Sequence, residues 1–565
     1  MKHNILSGTT NLHPALAFHQ EVLSISKWIA IRDEFMEVLS NPYNRITWNE
    51  KDKLWRHSRE ALGKWVLSQV ARCKVNDVPG GFFSFIVKPV SNPNGKEDFD
   101  KFILKLPSEL YNEQLIRDLS LKSDGAHKPV VIGRIKDLLN DFDLYGRCFS
   151  AYKSVQEQLV GLNSSTSDIY APDLRKVSED NNSRSNYQKR IQGLVAQITA
   201  VRPRGSQMRK EYPPCPSASI PWVVWDKLFR SYEVFGPAFD GHYFASFSRD
   251  QCFTYRAATA ALRYEVGLFT GSLQLCADVA LKRHLDFRGY HVIDLCSSPI
   301  NAYMDFPQMG SFRPKVDSSS GAPAPRLTQE GCLNHDKKVI VPNRFCSAFY
   351  DTDSYFGSIG NALNVDSASL YDLCSEVNLP QRPLLLTLDV PYDEDICELL
   401  FQKLAKDIQN IAAAKEIKLS VDYLLVIPLW WDVPMLIKKH IFMDDASELP
   451  KERGEVTSDK EKFLANIIAE HSAVLNQGYR VTQNWTETLG AATRGVSQTS
   501  NQSTDDSWVV FDGVFFGKSY PYFCASTNRP LRGVTMTEVI GLRQPRSSDK
   551  GGLLLKEVLH EFYDI

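Results

Sequence analysis

From Phe18 to Leu39 apolar residues recur at three- and four-residue spacing, which predicts an amphipathic helix. Asn49 is a suitable N-cap for a second helix through Trp55, Leu62, Trp65 and Val70. Gly80 and Gly81 then open a short apolar run, 82–87, that reads as a strand. Helical spacing returns over 108–121 and 130–162. The second half has a different pattern. Short apolar runs at 290–295, 343–350, 384–388 and 421–427 read as strands, with helical stretches such as 396–414 between several of them. Residues 473–484 and 508–516 offer a final antiparallel pair. Strands alternating with helices predict a mostly parallel α/β sheet. Three polar tracts, 163–186, 315–338 and 494–507, carry neither period and read as solvated loops.

A chain of 565 residues holds more than one core. The pattern divides it into a mainly helical N-terminal domain, 1–200, and an α/β domain, 212–545, interrupted by the insertions 315–338 and 494–507. Formal net charge is −2, so no global field advertises a nucleic-acid partner, and any basic site must be local. No apolar run reaches the length of a membrane span, and residues 1–10 lack a signal-peptide core, so a soluble intracellular chain with no membrane partner is expected. The 11 cysteines are scattered, with no Cys-x-x-Cys pair and no zinc-ligand order. They read as free thiols in a reducing compartment, with no metal site.

Ligands of parallel sheets bind beyond the carboxyl ends of the strands. The first such end carries Asp294, then Ser297, Ser298, Pro299 and Asn301. Small residues let backbone approach a ligand, and Ser and Asn offer hydrogen bonds. The absence of Gly-x-Gly-x-x-Gly and of a Gly-Lys-Ser/Thr phosphate loop counts against dinucleotide and triphosphate-hydrolysis sites. The second end carries Asp351, Thr352 and Asp353. A carboxylate there can accept both hydroxyls of a ribose, and the same residues equally suit a helix-capping turn. The third end is Asp389, Val390, Pro391 and Tyr392. A carboxylate, a backbone carbonyl before proline and an aromatic platform can together hold a planar base with an exocyclic amine, such as adenine. The tetrapeptide is close to the Asp/Asn-Pro-Pro-aromatic motif of amino-methyltransferases, but strand, turn and proline are a common combination.

Longer words extend this. Cys346 to Gly360 resembles the Cys-Ser-Ala-Phe-x-Asp-Thr-Asp-x-Tyr-Phe-Gly-Ser-x-Gly segment of the cap-specific adenosine-N6 methyltransferase family, also called the phosphorylated CTD-interacting factor family. Residues 296–301 are similar to that family's Ala-Ser-Pro-Leu-Asn loop, and 229–236 to its Arg-Tyr-x-x-Phe-Phe-Gly helix. Asp389–Tyr392 falls where the family carries Asn-Pro-Pro-Phe, and Ile427–Trp430 where it carries Ile-Pro-Glu-Trp. The resemblance covers about 215–520 and keeps order and spacing apart from the insertion 315–338.

The resemblance implies a Rossmann-like methyltransferase domain with S-adenosylmethionine as donor. It implies a nuclear enzyme acting on capped mRNA, with N6 of the first transcribed (2′-O-methyl)adenosine beside the m7G cap as acceptor. Asp389, Val390, Pro391 and Tyr392 would then be catalytic. Asp294, Ser297, Ser298, Pro299, Asn301, Asp351, Asp353, Phe356 and Gly357 would line the donor site. An aryl amine is a poor nucleophile, so hydrogen bonds from N6 to Asp389 and the Val390 carbonyl would act by orientation and electrostatics, while Tyr392 stacks on the base.

Three residues depart from the family: Val390 replaces its first proline, Asp389 its Asn, and Leu429 its Glu. The N-terminal WW module is missing, so a polymerase-tail interaction is not supported. A local basic segment, Arg202, Arg204, Arg209 and Lys210, suits RNA phosphates and equally suits a solvated face or an import patch. Arg184, Lys189 and Arg190 precede it, with Tyr187 and Tyr212 interleaved. Trp222, Trp225, Trp430 and Trp431 are candidates to sandwich a methylated guanine or to fill a core. Two other readings stay open: a catalytically silent cap- or RNA-binding protein that keeps the fold, and an adenine-N6 methyltransferase acting on another nucleic acid.

Overall fold

The computed structural model describes residues 12–48, 51–71, 81–86, 90–91, 97–98, 113–120, 123, 129–160, 169–179, 193–202, 215–268, 275–276, 279–304, 344–365, 367, 370, 383–389, 394–413, 421–428, 509–515, 521–524, 529–532, 537–543 and 555–563.

Five helices open the chain: α1 (Pro14–Ser40), α2 (Lys51–Ala71), α3 (Glu113–Ser120), α4 (Pro129–Phe142) and α5 (Leu144–Val160). In α1, Pro14 stands at the start and the His13 ring accepts from the Ala15 amide, which caps the first turn. Nearly its whole circumference is buried, including Glu21 and Ser24, so α1 is a central helix with few exposed positions. The helical pattern expected as one element over 130–162 is broken at Asp143, whose φ is 50°. Its carboxylate accepts from the Gly146 amide and caps α5, so a local Asp turn overrides the continuous apolar spacing.

An antiparallel three-stranded sheet follows: β1 (Ala171–Glu179), β2 (Gly193–Val201) and β3 (Ser217–Pro221). β1 lies inside the tract 163–186 expected to be a loop. Its polar outer face is solvated and pairing with β2 satisfies its backbone, so composition alone misreads it. This sheet spans the interval 200–212 in which a domain boundary is expected. Residues 82–87, expected as a strand, instead hold the 3-10 turn Phe82–Phe85, closed by the Ser84 hydroxyl donating to the Gly81 carbonyl. The apolar run is too short to distinguish the two by period.

Helices α6 (Trp222–Phe235), α7 (Arg249–Ala261) and α8 (Val279–Phe287) lead into the second half. A Ser248–Gln251 capping box starts α7, and a π turn, Leu262–Gly267, extends it. The central sheet contains β4 (His291–Ser297), β5 (Phe345–Ser347), β6 (Leu384–Asp389), β7 (Val421–Pro428), β8 (Val509–Phe515) and β9 (Thr537–Leu542). Its order is β8-β9-β7-β6-β4-β5. β9 runs antiparallel to β7 and β8, while β7, β6, β4 and β5 pair in parallel. The architecture is mixed α/β with a mostly parallel sheet, compatible with a Rossmann-like fold. β5 is shorter than the expected 343–350, because Tyr350 already begins the helical turn Tyr350–Asp353. The antiparallel partner of β8 is β9; residues 473–484 and the tracts 315–338 and 494–507 lie outside the described residues.

The two faces of this sheet follow from period 2. Leu384, Leu386 and Leu388 of β6 join Val421, Tyr423 and Leu425 against Leu400, Phe401 and Leu404 of α9 (Glu394–Ala413). Leu385, Leu424 and Val426 turn the other way, onto Leu281 and Leu285 of α8 and Leu555, Val558 and Leu559 of α10 (Leu555–Tyr563). A strand covered on both faces reads as a continuous apolar run, which is why 384–388 is so uniform. A further core joins α1, α5, α7 and the antiparallel sheet to Phe345, Phe349, Tyr355 and Phe356. The N-terminal helices therefore pack directly behind the strand-end segments of the central sheet. Among the described residues no helix is long and apolar enough to cross a membrane.

Candidate functional site

The chain runs from β4 out to β5, then returns to the other side of β4 as β6. This reversal marks the carboxyl ends of β4 and β6 as the topological position where open α/β sheets bind ligands. Two carboxylates flank it. Asp294 is buried in β4, and Asp389 is the last residue of β6, its side chain 10 % exposed. The Lys282 ammonium, rooted on α8 and 2 % exposed, lies 2.8 Å from Asp294 Oδ1 and 2.7 Å from Asp389 Oδ2. Asp294 also accepts from the Thr387 hydroxyl and from the Tyr303 amide at 2.9 Å. Burial opposes its ionised form, but Lys282 and these donors hold the carboxyl below its ordinary value.

The loop after β4 is folded by its own polar groups. The Ser298 amide and hydroxyl donate to Asn301 Oδ1 at 2.6 and 2.8 Å. Lys227 of α6 donates to the carbonyls of Ile300 (2.7 Å) and Ala302 (3.0 Å). Ser298, Pro299 and Asn301 are buried, so they shape the turn, while Ser297 is partly open at the strand end.

The structure separates the second pair of carboxylates. Asp353 is 0 % exposed and accepts from Tyr264 Oη at 2.6 Å and Thr352 Oγ1 at 2.8 Å. Burial pushes its carboxyl up to about 7 despite these donors. It is an interior group. Asp351 is 19 % exposed and is held from behind by Arg263 Nη1 at 2.7 Å. The same guanidinium donates from its Nε and Nη2 edge to Glu21 of α1, at 2.9 and 2.6 Å. Burial pushes Glu21 upward, opposed by Arg263. Phe356 is buried near Tyr232, and Gly357 closes the turn at φ 103°, where a Cβ would meet the Phe235 ring at 2.6 Å. Both shape the segment that carries Asp351.

Sequence reasoning missed Lys282, Arg263 and Glu21. The available signal was a charge at a position where the helix carries apolar neighbours: Lys282 beside Leu281 and Leu285, Glu21 between Phe18 and Ile25. The partners themselves were not legible, since Glu21 and Arg263 stand 242 positions apart.

On the proposed RNA side, Arg202 is partly buried just past β2. Arg204, Arg209, Lys210, Trp430, Trp431, Val390, Pro391 and Tyr392 lie outside the described residues. Trp225 is buried edge-on against Phe253, with centroids 5.0 Å apart, so it packs a core. Trp222 is partly buried with the Lys176 ammonium 4.2 Å from its ring, so a protein cation already covers one face. Among the described residues no group of three or more His, Cys, Asp or Glu could hold a metal ion.

Each of β4, β5 and β6 has a polar side chain at or just beyond its carboxyl end. Asp351 presents a partly open carboxylate beyond β5, and Ser297 a hydroxyl at the end of β4. Asp389 presents a charged acceptor on the far side of β4. Neither a known protein family nor a curated protein matches this chain.

Proposed function

We propose that the chain is an S-adenosylmethionine-dependent RNA methyltransferase that modifies N6 of the first transcribed, 2′-O-methylated adenosine beside the m7G cap of nuclear mRNA. The carrying observation is Asp389, a paired carboxylate at the end of β6 beside the β4–β6 reversal. The reversed strand β9 between β7 and β8 suits the methyltransferase form of a Rossmann-like sheet. The likeness of Cys346–Gly360 to the cap-specific family supplies the substrate.

In this reading Ser297 and Asp351 hold the donor, whose sulfonium supplies an activated methyl group. Asp389 accepts one hydrogen of the adenine amine and so aims the nitrogen lone pair, with the Val390 carbonyl as second acceptor and Tyr392 as stacking platform. The Asp389 charge also favours the positive charge that develops on the attacking nitrogen. The donor would leave as its neutral thioether and the surplus N6 proton would be lost to solvent, so nothing in this set needs to become covalently attached to substrate.

Mass spectrometry of a capped, adenosine-starting RNA after incubation with protein and labelled donor tests the proposal. Asp389→Ala should cut transfer by about 100-fold or more, while donor affinity stays within about threefold, because the interaction is made at the reacting nitrogen. Equal rates in wild type and variant would remove Asp389 from the chemistry. The silent cap- or RNA-binding reading has one observation in its favour: Lys282 already occupies one oxygen of Asp389. Donor binding without transfer in either protein would support it. Equal transfer to uncapped RNA or DNA would favour the other nucleic-acid substrates.

A further inference from the structure

Asp294 does not depend on Lys282 for hydrogen bonds, since Thr387 and Tyr303 already donate to it. The same ammonium also contacts Asp389 on the neighbouring strand β6, the more open of the two carboxylates. A lysine stem between Leu281 and Leu285, packed on the sheet face, carries a full charge to a site with almost no solvent. Two carboxylates touching one nitrogen are close enough to repel strongly once that nitrogen is neutral. We infer that Lys282 is a positioning residue that bridges β4 and β6, fixing the orientation of the Asp389 carboxylate at the strand end and keeping it ionised beside Asp294. Its role in methyl transfer rests on the function proposed above; its electrostatic role does not.

Among the described residues, groups on several elements face the triad. β4 contributes Cys296, β5 Cys346, and β6 the Thr387 hydroxyl. Tyr303 faces Asp294 through its amide and bonds Asp286 of α8 through its hydroxyl, at 3.1 Å. Lys403 of α9 lies toward Cys346. Burial pushes both thiols up, so they stay neutral through the acid and neutral range. Changes there report the carboxylates.

Thermal melts of the full chain between pH 5 and 8 test the inference without relying on activity. Lys282→Met leaves a buried carboxylate pair that retains a proton above the ordinary carboxylate range. Such a group favours the folded state at low pH and loses that contribution as pH rises. The deficit of Lys282→Met against wild type should therefore be larger at pH 8 than at pH 5, by about 2 °C or more in Tm. Adding Asp389→Asn to Lys282→Met removes the repulsion and should flatten that pH dependence. A deficit constant across pH, or unchanged by the second substitution, would reduce Lys282 to packing and overturn the inference.

Should Lys282→Met not fold, Asp389→Asn alone reads the pair from its more open end. Its deficit should be constant from pH 8 to about 5 and shrink only in melts carried below about pH 4, where the wild-type carboxylate takes up a proton; a deficit that already shrinks between pH 8 and 5 would overturn the inference. With capped RNA, Lys282→Met should lower kcat by about tenfold or more and move the acid limb of its pH profile upward, with donor affinity within about threefold. A rate loss equal at every pH would contradict the positioning role. If wild type transfers no methyl to any nucleic acid, the proposed function fails, and the melts still decide the role of Lys282.

Discussion

Two carboxylate–cation–carboxylate triads sit behind the strand ends, and they are built differently. In Asp294–Lys282–Asp389 every member belongs to the central sheet or the helix packed on it. In Glu21–Arg263–Asp351 one carboxylate comes from α1, the cation from the π turn, and the other carboxylate from the segment after β5. Each has a buried carboxylate, a buried cation and a second carboxylate that is more open. The lysine acts as a point charge between two single oxygens. The arginine uses a planar fork, bidentate on Glu21 with an arm left for Asp351. The first triad tunes the proposed acceptor side from within the sheet. The second ties the segment after β5, the proposed donor side, to α1.

The largest effect should come from breaking the second triad. Arg263→Met leaves Glu21 and Asp351 without their cation, and loss of one partner from a buried network costs about 3–5 kcal/mol. Denaturant unfolding should show it. A change under about 1 kcal/mol, the range of exposed ion pairs, would mean the tie between α1 and the site is not stabilising in the way described.

Next is the contrast between Asp351 and Asp353. Asp351→Ala should weaken S-adenosylmethionine binding about tenfold or more, the worth of one charge-assisted hydrogen bond of roughly 1.5–3 kcal/mol. Asp353→Ala should instead cost stability, about 1–3 kcal/mol for hydroxyls of Tyr264 and Thr352 that lose their acceptor. Calorimetry and unfolding measured on both variants separate the roles. If Asp353→Ala weakens the donor as much as Asp351→Ala at unchanged stability, the assignment of an interior role is wrong.

The last contrast is in pH. Burial raises Asp353 to about 7, so its protonated form favours folding at low pH and that contribution is lost as pH rises from about 4 to 7. Burial lowers His19 to about 4, where its neutral Nδ1 accepts from the Tyr170 amide. Its contribution is present above about 6.5 and is lost as pH falls toward 4. Asp353→Asn should flatten the first slope and His19→Asn the second. Melts of each variant across pH 4–8 would show whether either slope survives.

How much was legible varies along the chain. The runs 384–388 and 421–427 appear as β6 and β7 nearly residue for residue, because a strand buried on both faces leaves a continuous apolar mark. β1 was hidden, because a polar-faced strand that pairs on one side has the composition of a loop. Asp294 and Asp389 stood out as abrupt carboxylates ending apolar runs. Asp351 and Asp353 could not be told apart, since two positions on a short turn differ only in what the rest of the chain places over them. Lys282 gave no motif at all.

The amino-acid pattern alone determined five of the six strands of the central sheet, all but β9, with the carboxylates at the ends of β4 and β6 and the alternation that makes the second half α/β, because periodicity and an abrupt polar stop act over a few residues. Tertiary structure decided the strand order, the reversal between β4 and β6, which carboxylates stay open, and which cations hold them. Those depend on contacts such as Arg263–Asp351, Lys282–Asp389 and Arg263–Glu21, which join residues 88, 107 and 242 positions apart. Local propensity carries no information across such separations; only the packing of complete elements brings these charges together and takes them out of water.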